Sequence, residues 1–149
     1  LYARGADLVE GREEPRAMPL IESAYLRPSL GSEQRGLIGE YFRGRDFTGQ
    51  PVMQRIDAQI AFRWDRSAPT DDAVARGELS ADKALAGDGF SVRWTGKLVP
   101  PVSGRYEITV GANDGFRLFI DGQPLLDNWE LNSRMQSRSA FVKLKAGKA

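Results

Sequence analysis

Cysteine and histidine are both absent from this 149-residue chain. Without cysteine there are no disulfides, no thiolate metal sites and no cysteine nucleophile. Without histidine there is no Ser-His-Asp triad, no Cys-His pair and no set of the usual catalytic zinc ligands. Carboxylates, lysine and tyrosine remain as general acid–base candidates. The compartment stays open, because a secreted bacterial domain can also lack cysteine. An excess of charge is missing too: 21 Lys and Arg stand against 20 Asp and Glu, a net charge of +1. That excludes a global electrostatic footprint for nucleic acid, and no like-charged run is long enough for a tail. No apolar run approaches the roughly 18 residues that a membrane helix needs. Neither nucleic acid nor a membrane is therefore expected as a partner.

What is present is a globular composition. Hydrophobic residues make up 41% of the chain, enough for a real core. The length suits one domain plus an appendage. The first residues, Leu1-Tyr2-Ala3-Arg4-Gly5, carry no initiator methionine and no signal-peptide pattern. Both ends read as cuts in a longer protein.

Residues 1–35 differ from the rest. Pro15, Pro19 and Pro28 interrupt any long element. Leu20, Ile21, Ala24 and Tyr25 have helical spacing, enough for about two turns. Arg12, Glu13, Glu14 and Arg16 form a solvated surface, and Ser29 to Arg35 is a linker. From Gly36 the period becomes two. Leu37 to Phe42 reads as a strand, residues 52–56 alternate, and Ile60 to Trp64 is a third candidate. Residues 65–87 lack alternation; Ser80 is placed to cap a short turn through Ala84. A connection this long is more often a functional or mobile excursion than a structureless piece of core.

Phe90, Val92 and Trp94 then share one face. Leu98 to Gly104 is a connection, because paired prolines cannot donate within a central ladder. Tyr106, Ile108 and Val110 resume the alternation, followed by Phe116, Leu118 and Ile120. Asp121-Gly122 matches a tight hairpin turn, and Ala140 to Leu144 is the last run. Many short strands with regular turn signals define the expected class: all-β, an antiparallel β-sandwich preceded by a short irregular or helical stub.

Five pieces of the chain carry a family resemblance. They are Gly36-Leu37-Ile38-Gly39-Glu40-Tyr41-Phe42, Phe90-Ser91-Val92-Arg93-Trp94-Thr95-Gly96, Gly104-Arg105-Tyr106-Glu107-Ile108, Asn113 through Gly122, and Leu126-Asp127-Asn128-Trp129. Their order and spacing resemble the PA-14 module, a β-sandwich named after anthrax protective antigen, over residues 36–149. Its final strand is expected to be truncated at Ala149. A second, shorter resemblance lies in Tyr2-Ala3-Arg4-Gly5-Ala6-Asp7-Leu8-Val9-Glu10. It looks like part of the C-terminal α/β sandwich domain of glycoside hydrolase family 3, which hosts a PA-14 insertion in some β-glucosidases. Residues 1–35 are accordingly expected to be a stub of that host domain plus linker.

The resemblance implies glycan binding. In the adhesin branch, adjacent aspartates joined by a cis peptide hold a calcium ion that grips sugar hydroxyls. The matching positions here are Asn113 and Asp114, so one carboxylate has become an amide. Calcium wants six to eight oxygens with several negative charges among them, and only Asp114 supplies one. No cofactor is required, and calcium is the one metal the resemblance allows. Asn113-Asp114-Gly115 also reads as a plain turn. Asp127 either joins a polar cluster near that loop or caps its own turn, the latter favoured. Trp129 either offers a stacking platform for a sugar ring or fills the core, again the latter favoured, as for Trp64 and Trp94. Asn113, Asp114, Asp127 and Trp129 are thus the carbohydrate-site candidates.

No catalytic pair is recognisable. The expected function is a substrate-gating, carbohydrate-recognising accessory module of a family 3 β-glucosidase, periplasmic or secreted. Its expected partners are an oligosaccharide or glycoside and the catalytic domains of the parent chain. The alternative is a free-standing glycan-binding or adhesin module; a third reading is a structural spacer.

Overall fold

The computed structural model describes residues 2–5, 20–64, 67–130 and 134–149. The fold is all-β and antiparallel throughout its strand pairings, as the alternation requires. Helix among the described residues is limited to one five-residue α-helix and two short 3-10 turns. None of these helices is long and apolar enough to cross a membrane. The charged run from Arg12 to Arg16 lies outside the described residues. The chain forms two compact units, one of Leu1–Glu22 with Val99–Ala149 and one of Ser23–Leu98.

In the Ser23–Leu98 unit, the expected helical spacing yields only a 3-10 turn at Ser23–Tyr25 before the chain extends. Pro28 explains the brevity, because the residues before a proline are pushed out of the α region. Counting strands along the whole chain, with β1 at Tyr2–Gly5, the next is β2, Leu26–Arg27. The main sheet has β3 (Leu37–Arg43) at its centre, with β4 (Met53–Asp57) and β5 (Phe90–Thr95) on either side. A short β6 (Lys97–Leu98) pairs with β2. Tyr41, Ala68 and Leu85 are buried at the core, with Val52, Met53, Trp64, Phe90 and Val92 packed against them.

Two sequence expectations change here. Ile60 to Trp64 forms no strand. Phe62 instead lies parallel to the rings of Trp64 at 4.9 Å and Trp94 at 5.7 Å, so stacking rather than a ladder holds this segment. Residues 67–87, described within the long connection, are not an excursion. They contain α1 (Asp71–Ala75) and bury Ala68, Thr70, Ala73 and Leu85. The fully buried Thr70 hydroxyl accepts the Leu85 N–H at 2.9 Å, pinning the two ends of the stretch together.

In the other unit, β7 (Gly104–Ala112) is the central strand, flanked by β1 and by β10 (Gln136–Leu144). Ile108 is fully buried and Tyr106 nearly so. A hairpin follows, β8 (Phe116–Ile120) with β9 (Gln123–Asn128). Asp121 and Gly122 at its tip have φ of 51° and 74°. Two positive φ values in a two-residue loop are what the right-handed strand twist selects, and Asp-Gly tolerates them. The last strand is longer than its apolar run because residues 136–139 pair on their backbone with Ala112–Thr109.

Candidate functional site

Asn113 and Asp114 sit exposed on the bend between β7 and β8. Gly115 completes that bend and lies against the Asp127 to Glu130 segment. A side chain there would meet the Glu130 N–H at 3.1 Å and the Trp129 Cα at 3.2 Å. Glycine is thus what lets the two segments approach. The structure therefore brings all four sequence candidates to one end of the β8–β9 hairpin.

Asp127 is committed within its own strand pair. Both its carboxylate oxygens accept from Arg117 Nε at 3.1 Å, and Oδ1 also accepts the Trp129 N–H at 3.2 Å. Through the Trp129 N–H, Asp127 caps the chain where it leaves β9. Trp129 departs from the favoured core reading: it is 42% exposed, with the Arg117 guanidinium 4.8 Å from its ring centroid. The neighbouring Asn128 takes the buried position instead, donating to Gln136 at 3.2 Å. Trp64 and Trp94 are half-buried, as core aromatics at a sheet face should be.

The donor set for calcium is not assembled among the described residues. No group of three or more acidic side chains converges there. No described peptide bond is cis. Asp114 alone brings a charge to the bend, and a hard divalent ion needs more.

The best-organised polar feature lies elsewhere, on the main sheet of the Ser23–Leu98 unit. Register places Gly39 between Arg55 of β4 and Trp94 of β5. With no side chain at the central position, a carboxylate can lie across the row. That carboxylate is Asp57, only 6% exposed. Its Oδ2 accepts from the Tyr41 hydroxyl at 2.6 Å and from Trp94 Nε1 at 2.7 Å, and its Oδ1 accepts from Arg55 Nε at 2.7 Å. Three donors, one of them charged, offset the cost of burying the ion. Burial, followed by the hydrogen bond to the Asp57 carboxylate, pushes the Tyr41 hydroxyl well above its ordinary value. It stays a neutral donor.

Beside this knot lies a group of aromatic rings, of which Phe62 is exposed and Trp64 and Trp94 are half-buried. Tyr41 meets Trp64 and Trp94 edge-on at 6.5 and 6.4 Å. The Arg55 guanidinium lies 4.8 Å from the Tyr41 ring and 5.6 Å from that of Phe62. A cleft of about 270 Å³ opens here, lined by Arg55, Phe62, Trp64, Ser67, Pro69 and Asp72 among others. Neither Asp57 nor Tyr41 stands out in the sequence as a site residue. The available signal was Gly39, an isolated glycine inside a strand pattern, which marks close approach of another group.

This chain matches the PA14 domain model over residues 33–149 and belongs to that family. Among curated proteins it is similar to "Anti-sigma-I factor RsgI3" of Acetivibrio thermocellus, 37% identical over 113 residues. That alignment covers 76% of this chain and 15% of the relative. A solved "anti-sigma factor domain-containing protein" is similar at 28% identity and a TM-score of 0.60, over 92% of this chain and 38% of that one. Another, from Clostridium clariflavum, gives 29% and 0.60, over 94% and 40%. The chain thus spans well under half the length of these relatives.

These relatives correct the expected context. They are anti-sigma factor proteins rather than hosts of a family 3 β-glucosidase insertion, so the hydrolase accessory function falls. The expected oligosaccharide substrate, the parent catalytic domains and the alternative adhesin reading fall with it. The reason is physical: the matching residues encode sandwich strands and turns, which a module keeps in any host. They identify the module without identifying what surrounds it.

Proposed function

We propose that this chain is a regulatory input module of a larger protein that controls a sigma factor, and that the sigma-binding part lies outside these 149 residues. The observation that carries the reading is the 37% identity over 113 residues to an anti-sigma-I factor. The geometry supports a recognition role rather than catalysis. Asp57, the best-placed buried carboxylate, has its oxygens occupied by three donors and has no proton-transfer role open to it. Asp127 is held by Arg117. The shallow cleft beside the Asp57 knot carries exposed aromatic and charged side chains that could contact a ligand.

The test uses the full-length protein in its own cell. Phe62→Ala with Trp64→Ala opens the cleft floor, and deletion of residues 33–149 removes the module. Both are expected to change transcription from promoters read by the cognate sigma factor, at unchanged levels of the regulator. Unaltered transcription in both strains refutes the regulatory reading. So does failure of the full-length protein to retain any sigma factor in a pull-down.

A further inference from the structure

Residues 134–149 hold five basic side chains, Arg134, Arg138, Lys143, Lys145 and Lys148, and no acidic one, in a chain of net charge +1. The near-neutral total therefore hides a segregation of charge. All five are exposed. Register concentrates them further, since Lys143 of β10 stands directly opposite Arg105 of β7. Two like charges stand opposite each other there, an arrangement that an anionic surface would relieve.

Apolar side chains stand exposed in the same place. Phe141 on β10 is 52% exposed with the Arg105 guanidinium 3.8 Å from its ring centroid. Val102, in the loop entering β7, is 61% exposed. That loop is firmly built. The Tyr106 hydroxyl donates to the Val102 carbonyl at 2.7 Å. Ala146 N–H donates to Ser103 Oγ at 2.8 Å, and Gly147 N–H donates to the Pro100 carbonyl at 3.2 Å. These bonds hold Val102 beside the tail that carries Lys145 and Lys148. One end of the β7–β10 sheet thus presents two apolar side chains among four cations, with Glu107, opposite Phe141, the one carboxylate in the neighbouring register pair.

We infer that this end of the sheet, formed by Val102, Arg105, Phe141, Lys143, Lys145 and Lys148, docks on the surface of an anionic phospholipid bilayer. The cations match lipid phosphates, while Phe141 and Val102 enter the interfacial layer where apolar and wet surroundings meet. An acidic protein or soluble polyanion would reward the charges without needing exposed valine and phenylalanine between them. The expectation of no membrane partner rested on the absence of a spanning segment and on net charge, and neither bears on a local surface of this kind. The inference is independent of the regulatory reading.

Co-sedimentation of the 149-residue chain with phosphatidylcholine vesicles, with and without phosphatidylglycerol, tests it. Binding is expected only with phosphatidylglycerol and is expected to weaken as salt rises. Each lysine changed to glutamine should cost roughly fivefold in affinity. Lys143→Gln with Lys145→Gln and Lys148→Gln should therefore cost about a hundredfold. Should that variant fold poorly, Lys145→Gln with Lys148→Gln leaves β10 intact and should still cost more than tenfold. Phe141→Ser and Val102→Ser should each weaken binding several-fold at constant charge. Failure to bind, equal binding to neutral vesicles, or indifference to the lysine changes overturns the inference. Binding that follows charge and ignores both apolar substitutions also overturns it, reducing the face to a polyanion contact.

Discussion

Replacing Asp57 with asparagine keeps shape and volume and removes the negative charge and one of the two acceptor oxygens. The carboxylate serves donors on both sides: Tyr41 and Trp94 at Oδ2, Arg55 at Oδ1. An amide has one acceptor end. If its oxygen faces Tyr41 and Trp94, its NH₂ faces the Arg55 N–H, donor against donor. If it flips, the NH₂ faces Trp94 Nε1, which cannot accept. One donor is stranded in either case. The Arg55 side chain is 30% exposed, so solvent reduces what is lost there. Losing that charge-assisted bond costs about 1.5 kcal/mol, and the two remaining bonds weaken by about 1 kcal/mol each on losing a charged acceptor. The sum is a destabilisation of about 3.5 kcal/mol. Urea unfolding followed by tryptophan fluorescence reads this directly, because Trp94 is itself a partner. With a slope of about 2 kcal/mol per molar, the midpoint should fall by about 1.7 M. Arg76→Ala breaks a fully exposed pair with Glu78 and is the control, expected to leave the midpoint in place. A shift for Asp57→Asn no larger than that of Arg76→Ala would refute the claim that the knot stabilises the sheet.

Two further outcomes follow from the same geometry. Gly39→Ala puts a methyl group into the space of Asp57 Oδ2, close to Trp94 Nε1 and the Tyr41 ring as well. It should cost about 3 kcal/mol, seen as a lower urea midpoint, although alanine in an ordinary strand position costs little. The pH dependence has a definite sign. The folded state raises the Tyr41 pKa above its ordinary value of about 10. In that range the native state holds a proton the unfolded chain has released. The stabilisation is complete below about pH 10 and is lost as pH rises beyond it. Thermal melts in that alkaline window should show the loss, and Tyr41→Phe should flatten it. An equally steep loss in Tyr41→Phe would remove Tyr41 as the cause.

Much of the fold was legible in local pattern. Two-residue alternation located β3, β4, β5, β7, β8 and β10, because one face of each strand is buried and the other is not. Asp121-Gly122 announced its hairpin because few residues accept positive φ. The candidate loop around Asn113 and Asp114 was legible as a turn. Trp129 was misjudged because its neighbour Asn128, and not the indole, takes the buried side of β9. Ile60 to Trp64 has the alternation of a strand, but its Phe62 ring stacks on Trp64 and Trp94 and its backbone joins no ladder.

The sequence by itself determined the class of fold and the family of the module, since both rest on periodicity, turn chemistry and the order of short motifs. Only the tertiary structure decided where the polar organisation lies. Tyr41 and Trp94 reach Asp57 across 16 and 37 residues of chain. The cationic end joins the loop before β7 to a tail 43 residues later, through the Ala146 to Ser103 bond. Such pairings are set by strand register and by the need of each buried polar group for a partner. Neither leaves a local period in the sequence, so a one-dimensional pattern reveals that strands form without revealing which side chains they bring together.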